Sequence, residues 1–311
     1  MAAFLYHTMS SSALVSLGLY HLISATRSYL KSPNSYSAKP FHPFPPSSSG
    51  NNTHHRFRYL SLYLIIICLL VALTHQLIIS SDSDILLKGR TPVYRFTSLQ
   101  SSAVLFLFLI LAVSVLLSES SSLLPLPTDL IFALASAIFL LQYSVSAAAA
   151  SVQTSDLEAK CDSVSARISA LASVLCLILA CQPRLFVADV GLGAAICLQG
   201  LWVLQTGLSL YVDAFIPEGC HRLLDVVKGI VGSTKCDLDD SKFRAVAILD
   251  FVFLVHVIFV ALIVMITYGG IAKSLGMTKS GTYEALPNNA PTSESYHHGH
   301  IQMKALTGTQ A

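Results

Sequence analysis

The chain has 311 residues, 53% of them hydrophobic and only 12% charged, with a mean hydropathy of +0.64. Soluble domains carry about 25% charged residues, so a soluble enzyme or soluble binding domain is excluded as its main body. The net charge of +2, without a Lys/Arg cluster, excludes a nucleic-acid footprint and leaves the lipid bilayer as the expected partner.

Seven apolar stretches, each about long enough to cross a bilayer, predict an all-α polytopic membrane helix bundle with seven transmembrane helices. The bundle is expected over residues 1–275, with a flexible C-terminal tail over 276–311. The first span runs from about Phe4 to Ile23. It lacks the basic n-region of a signal peptide, and its apolar stretch is longer than an h-region. The stretch from Thr26 to Arg58 carries Pro33, Pro40, Pro43, Pro45 and Pro46, five basic residues and no acid. It is expected to be a disordered Pro-rich loop over 26–58, unable to bury enough apolar surface to offset its ordering entropy. Pro43-Phe44-Pro45-Pro46 has the minimal polyproline-recognition pattern.

Span two covers about Tyr59 to Ile79, span three Phe96 to Leu117, and span four Leu130 to Val152. Span five covers about Val164 to Cys181, ended by Pro183, and span six Leu185 to Val212. Span seven runs from about Ala245 to Tyr268, closed by Gly269-Gly270.

Lys and Arg counts do not orient the bundle by themselves: an outside N-terminus puts nine on the cytosolic side and ten opposite. The first hairpin usually dominates insertion, and its loop holds Arg27, Lys31, Lys39, Arg56 and Arg58. The expected orientation is therefore N-terminus outside or lumenal and C-terminus cytosolic, in the plasma membrane or an endomembrane. Of the seven cysteines, Cys161, Cys220 and Cys236 fall in hydrophilic loops on the oxidising side of that arrangement. A Cys220–Cys236 disulfide is expected there, and the Asn51-Asn52-Thr53 sequon would lie unused in the cytosol.

Ionisable groups inside spans are functional candidates by default. Here they are His7, His21, His75, Asp189, Asp250 and His256. His21 and Asp189 lie near span ends, and Arg184 can snorkel toward Asp189, so both read as structural or interfacial. Asp250 and His256 are about 9 Å apart along their helix and some 120° apart around it, so each needs its own partner. Gln199, Trp202, Gln205 and Thr206 share roughly one face of span six. Gly193, Gly200 and Gly207 recur there every seven residues and permit close approach of another helix, so packing is the first explanation of this face. The candidate intramembrane polar site is thus Gln199, Trp202, Gln205, Asp250, His256 and His7. No catalytic motif, cofactor motif or metal-ligand spacing is present, so no catalytic, cofactor or metal residue is assigned.

Gly18-Leu19-Tyr20-His21, the block Leu198-Gln199-Gly200-Leu201-Trp202-Val203-Leu204-Gln205-Thr206-Gly207 and His256 resemble the plant members of the transmembrane protein 45-like family, seven-span proteins of unknown function. The resemblance extends over about residues 1–275. Family members commonly add an acid and further histidines in spans three to five, where this chain has Gln100 and Gln142. It implies the architecture and no reaction.

Three functions stay open. One is a transport- or channel-like protein using the polar faces of spans six and seven. Another is a non-catalytic scaffold, receptor or trafficking component. Protein partners would then read the Pro-rich loop and the tail, where Tyr283-Glu284-Ala285-Leu286 fits a sorting signal. An intramembrane enzyme is the least supported, since metal chemistry needs three converging ligands.

Overall fold

A computed structural model describes residues 2–43, 59–81, 91–121, 124–153, 155–224 and 231–276. Among them, seven long helices follow one another: α1 (Ala2–Lys31), α2 (Leu60–Ser81), α3 (Thr91–Ser120), α4 (Thr128–Val152), α5 (Asp156–Cys181), α6 (Phe186–Tyr211) and α7 (Asp239–Ser274). Among the described residues, α2 to α7 are the helices both long and apolar enough to cross a membrane. α1 has the length, but Thr8, Ser10, Ser11, Ser12 and its two histidines dilute its apolar character. The protein is an all-α, multi-pass membrane bundle, and large side chains such as Phe251, Met265 and Ile266 on α7 stand exposed as lipid-facing surface.

The starts and stops follow local chemistry. Ser155 caps α5 by accepting from the Glu158 amide, so α5 begins at Asp156, earlier than hydropathy alone suggests. Cys161 is consequently a buried helical residue rather than a loop cysteine. Proline at 183 has no amide hydrogen, which separates α5 from α6.

A close seam joins α1 and α6, which run antiparallel. A Cβ on Gly207 would lie 2.7 Å from the His7 Cβ, one on Gly200 2.8 Å from the Val15 amide nitrogen, and one on Gly193 3.0 Å from the Leu22 Cγ. The seven-residue glycine interval is therefore a track along which α1 lies backbone to backbone. α4 and α5 are clasped by reciprocal bonds, Ser136 Oγ to the Ser173 carbonyl (2.9 Å) and Ser173 Oγ to the Ser136 carbonyl (2.8 Å).

Two features were not foreseen from the sequence. The connector after α1 is packed over residues 32–43: a short 3₁₀ turn (Pro33–Ser35) leads into Tyr36, Ala38 and Phe41, all buried. Ala38 joins the core between α4, α5 and α6, and Phe41 the core between α2, α3 and α4. Three well-spaced apolar side chains suffice to anchor this segment because the bundle supplies the surface that the segment lacks. The expected disorder of the Pro-rich loop therefore fails for 26–43; residues 44–58, the sequon and the tail from 277 lie outside the described residues. The second feature is the antiparallel strand pairing of β1 (Cys220–Leu224) and β2 (Val231–Cys236) before α7, which sets Cys220 and Cys236, the two cysteines of the expected disulfide, opposite each other and bonded.

Candidate functional site

Asp189 sits in the first turn of α6, its amide bonded to the Leu185 carbonyl at 3.3 Å. A carboxylate is favoured there by the positive end of the helix dipole. Yet the side chain is 0% exposed, and taking a carboxylate out of water costs several kcal/mol unless it is paired. The pairing comes from far along the chain. His21 Nε2 on α1 meets Asp189 Oδ1 at 2.7 Å, and the Tyr36 hydroxyl donates to Oδ2. Gly193 makes room for this, since a Cβ there would fall 3.1 Å from the His21 ring.

The connector brings a second imidazole. The Tyr20 hydroxyl donates to the His42 carbonyl at 2.6 Å, and the His42 ring lies 5.4 Å from that of His21. Among the described residues, the buried His42 Nε2 has no hydrogen-bond partner. The connector itself is tied down by the Ala38 amide donating to the Pro183 carbonyl at 2.6 Å. Beside it Tyr29 stacks on Phe186, ring centres 4.0 Å apart, and Tyr36 meets both rings edge-on.

Burial pushes His42 down to about 4, and neighbouring His21 adds to the effect against the pull of Asp189. The ring is thus neutral at ordinary pH, with a lone pair available. Tyr36 is raised above the usual phenol range, first by burial and then by the Asp189 charge, which keeps its hydroxyl protonated as a donor. One ligand atom from each of His21, His42 and Asp189 fits within 4.8 Å of the others. Two imidazoles and a carboxylate form a donor set suited to a divalent transition metal.

The residues singled out on α6 and α7 do not meet at one cavity. Gln199 Nε2 donates to Ser165 Oγ (2.7 Å) and Trp202 Nε1 to the Cys161 carbonyl (3.0 Å), both across to α5. Gln205 bonds Ser209 on its own helix at 3.0 Å. Asp250 is half-exposed and paired with Lys160 at 2.6 Å. His256 Nδ1 bonds the Val252 carbonyl of its own turn at 2.7 Å, and its ring meets Trp202 edge-on, 6.4 Å between centres. His7 packs near Tyr211 at the far end of the α1–α6 seam. The structure thus brings Trp202 and His256 together and sends the others to separate neighbours.

Sequence reading assigned Asp189 to Arg184 and overlooked Tyr36 and His42, because a Pro-rich segment gives no periodic signal. The usable hint was composition: a buried-type acid and a histidine, each at the same end of adjacent spans.

No curated protein matches the chain. Residues 128–269, from α4 into α7 and so including Asp189 but not His21, Tyr36 or His42, are similar to a family of unknown function (DUF716).

Proposed function

We propose that this chain is a seven-span membrane protein of the transport type, N-terminus outside or lumenal, whose working centre is the cluster of His21, Tyr36, His42 and Asp189. The single observation that carries the reading is the fully buried Asp189, with both carboxylate oxygens engaged from two other segments. A bundle that only displays loops gains nothing from such a group, whereas buried acid and histidine chains are the usual equipment of cation and proton pathways. The separate partners of Gln199, Gln205 and Asp250 move the centre away from the faces of α6 and α7.

The seam supports counting α1 as a seventh span. α1 keeps to α6 from His7 beside Gly207 to Leu22 beside Gly193, about 22 Å at 1.5 Å per residue. A helix that follows a spanning neighbour so far crosses with it. The Cys220–Cys236 disulfide supports placing that hairpin on the oxidising side, and hence the cluster at the cytosolic end. The resemblance to the transmembrane protein 45-like family belongs to the same proposal, resting on the Leu198 to Gly207 block inside the matched stretch. The scaffold reading draws on the Pro-rich loop and the tail, of which 44–58 and 277–311 lie outside the described residues, so no geometry favours it.

The test is flux in proteoliposomes containing the full chain and trapped proton or divalent-cation indicators. Asp189→Asn should abolish protein-dependent flux while Gln205→Ala preserves it. Flux of neither kind, or flux indifferent to Asp189→Asn, overturns the reading.

A further inference from the structure

We propose that His21, His42 and Asp189 form a binding site for one divalent transition cation of the zinc class, and that the bound cation clips the connector after α1 onto α6. The proposal rests on the reading of this cluster as the working centre, and adds its ligand.

Three observations carry it. The donors are two imidazole nitrogens and one carboxylate oxygen, already within 4.8 Å. Tetrahedral zinc, with ligands at about 2.0–2.1 Å, places ligand atoms about 3.3 Å apart. The widest pair must therefore close by at most about 1.5 Å, while His21 and Asp189, at 2.7 Å, open slightly. His42 sits on a connector, where such a movement disturbs no helix.

The second observation is the His42 Nε2, buried and without a hydrogen-bond partner among the described residues. A buried nitrogen left unpaired is unfavourable, and a cation between the rings would use its lone pair. The third is the support around the ligands. Tyr36 donates to the second oxygen of Asp189 and Tyr20 holds the His42 backbone, the outer contacts that orient metal-binding carboxylates and imidazoles. On binding, the proton shared by His21 Nε2 and Asp189 Oδ1 leaves to solvent and the cation takes its place. Three protein ligands leave a fourth position for water or cargo, the pattern of an exchangeable rather than a closed structural site.

The ligands come from α1, the connector and α6. The cation would therefore fix the segment from Ser32 to His42 against the start of α6, in the same sense as the Ala38 to Pro183 bond.

Binding is measured on the full chain in detergent, stripped with chelator. His297, His298 and His300 in the tail are replaced by alanine to remove competing imidazoles. Cobalt(II) is the probe, read by its d–d absorption and displaced by zinc(II). This parent should bind one cobalt per chain. His42→Gln should weaken binding about 100-fold and Tyr36→Phe about tenfold, in line with the loss of a ligand and of an outer partner. His256→Gln and His75→Gln should leave it unchanged. Trypsin cleavage after Lys31 should slow when zinc is added to the parent but not to His42→Gln. Absence of one-to-one binding in the parent, or equal binding by His42→Gln, overturns the proposal. His42 is a connector residue whose loss opens no core cavity, so this variant decides the matter even where Asp189→Asn fails to fold. Binding without any flux refutes transport alone; Asp189-dependent flux without binding refutes the metal alone.

Discussion

Replacing Gly18 by alanine puts a methyl group where α1 and α6 touch. Its Cβ would fall 2.5 Å from Cys197 Sγ, 2.7 Å from the Cys197 amide nitrogen and 2.9 Å from the Gly193 carbonyl oxygen. Two of those three atoms are backbone, so no side chain can turn aside and the helices must separate. Overpacking of this kind costs about 1–3 kcal/mol, and contact with backbone places it at the upper end. Alanine returns about 1 kcal/mol of helix propensity, which leaves a net loss of about 2 kcal/mol, or about 3 °C in melting temperature for a chain of this size. The same substitution at Gly269 meets nothing within 4 Å, so there only the propensity gain remains and the sign reverses. The buried free thiols of Cys161, Cys176 and Cys197 provide the assay, since a thiol-reactive fluorophore reports their exposure during a thermal melt in detergent. Gly18→Ala should melt below the parent and Gly269→Ala at or above it. Equal shifts at the two positions would refute the claim that the glycine track sets the α1–α6 distance.

Three further outcomes follow from single contacts. Trp202, the one tryptophan of the chain, is 0% exposed, so its emission should be blue-shifted when folded and move red with the thiol melt; a water-exposed spectrum in the folded state contradicts its placement. Trp202→Phe removes the indole donor from the Cys161 carbonyl, which keeps its helical partner, and should cost about 0.5–1.5 kcal/mol, seen as a lower melting temperature. Removing the 220–236 disulfide as a double serine variant should cost about 3 kcal/mol by the loop-closure argument, given the sequence separation of 16. A melt unchanged by that substitution would show that the hairpin is held by its strand pairing and by Ser155, which bonds the Thr234 carbonyl.

Sequence alone located the helices long and apolar enough to cross a membrane, α2 to α7 among the described residues, because lipid demands about 20 consecutive apolar residues and tolerates few charges. α6 spans Phe186–Tyr211, within a residue of the stretch read from hydropathy, and the glycine interval along it already implied a close neighbour. The sequence could not name that neighbour. Spacing within one helix reports which residues share a face, but the partner face lies more than a hundred residues away and is chosen by packing. The same limit hid the polar cluster. His21 and Asp189 are 168 residues apart and Tyr36 and Asp189 are 153 apart. No local pattern joins them, and two of the four side chains lie on or near a proline-rich connector without helical period. Only the antiparallel docking of α1 on α6, with the connector folded back over their shared end, decides that these groups meet. The polar residues most conspicuous in the sequence are instead engaged one by one where they stand, Gln199 by Ser165 and Asp250 by Lys160 across to α5, and Gln205 by Ser209 on its own helix.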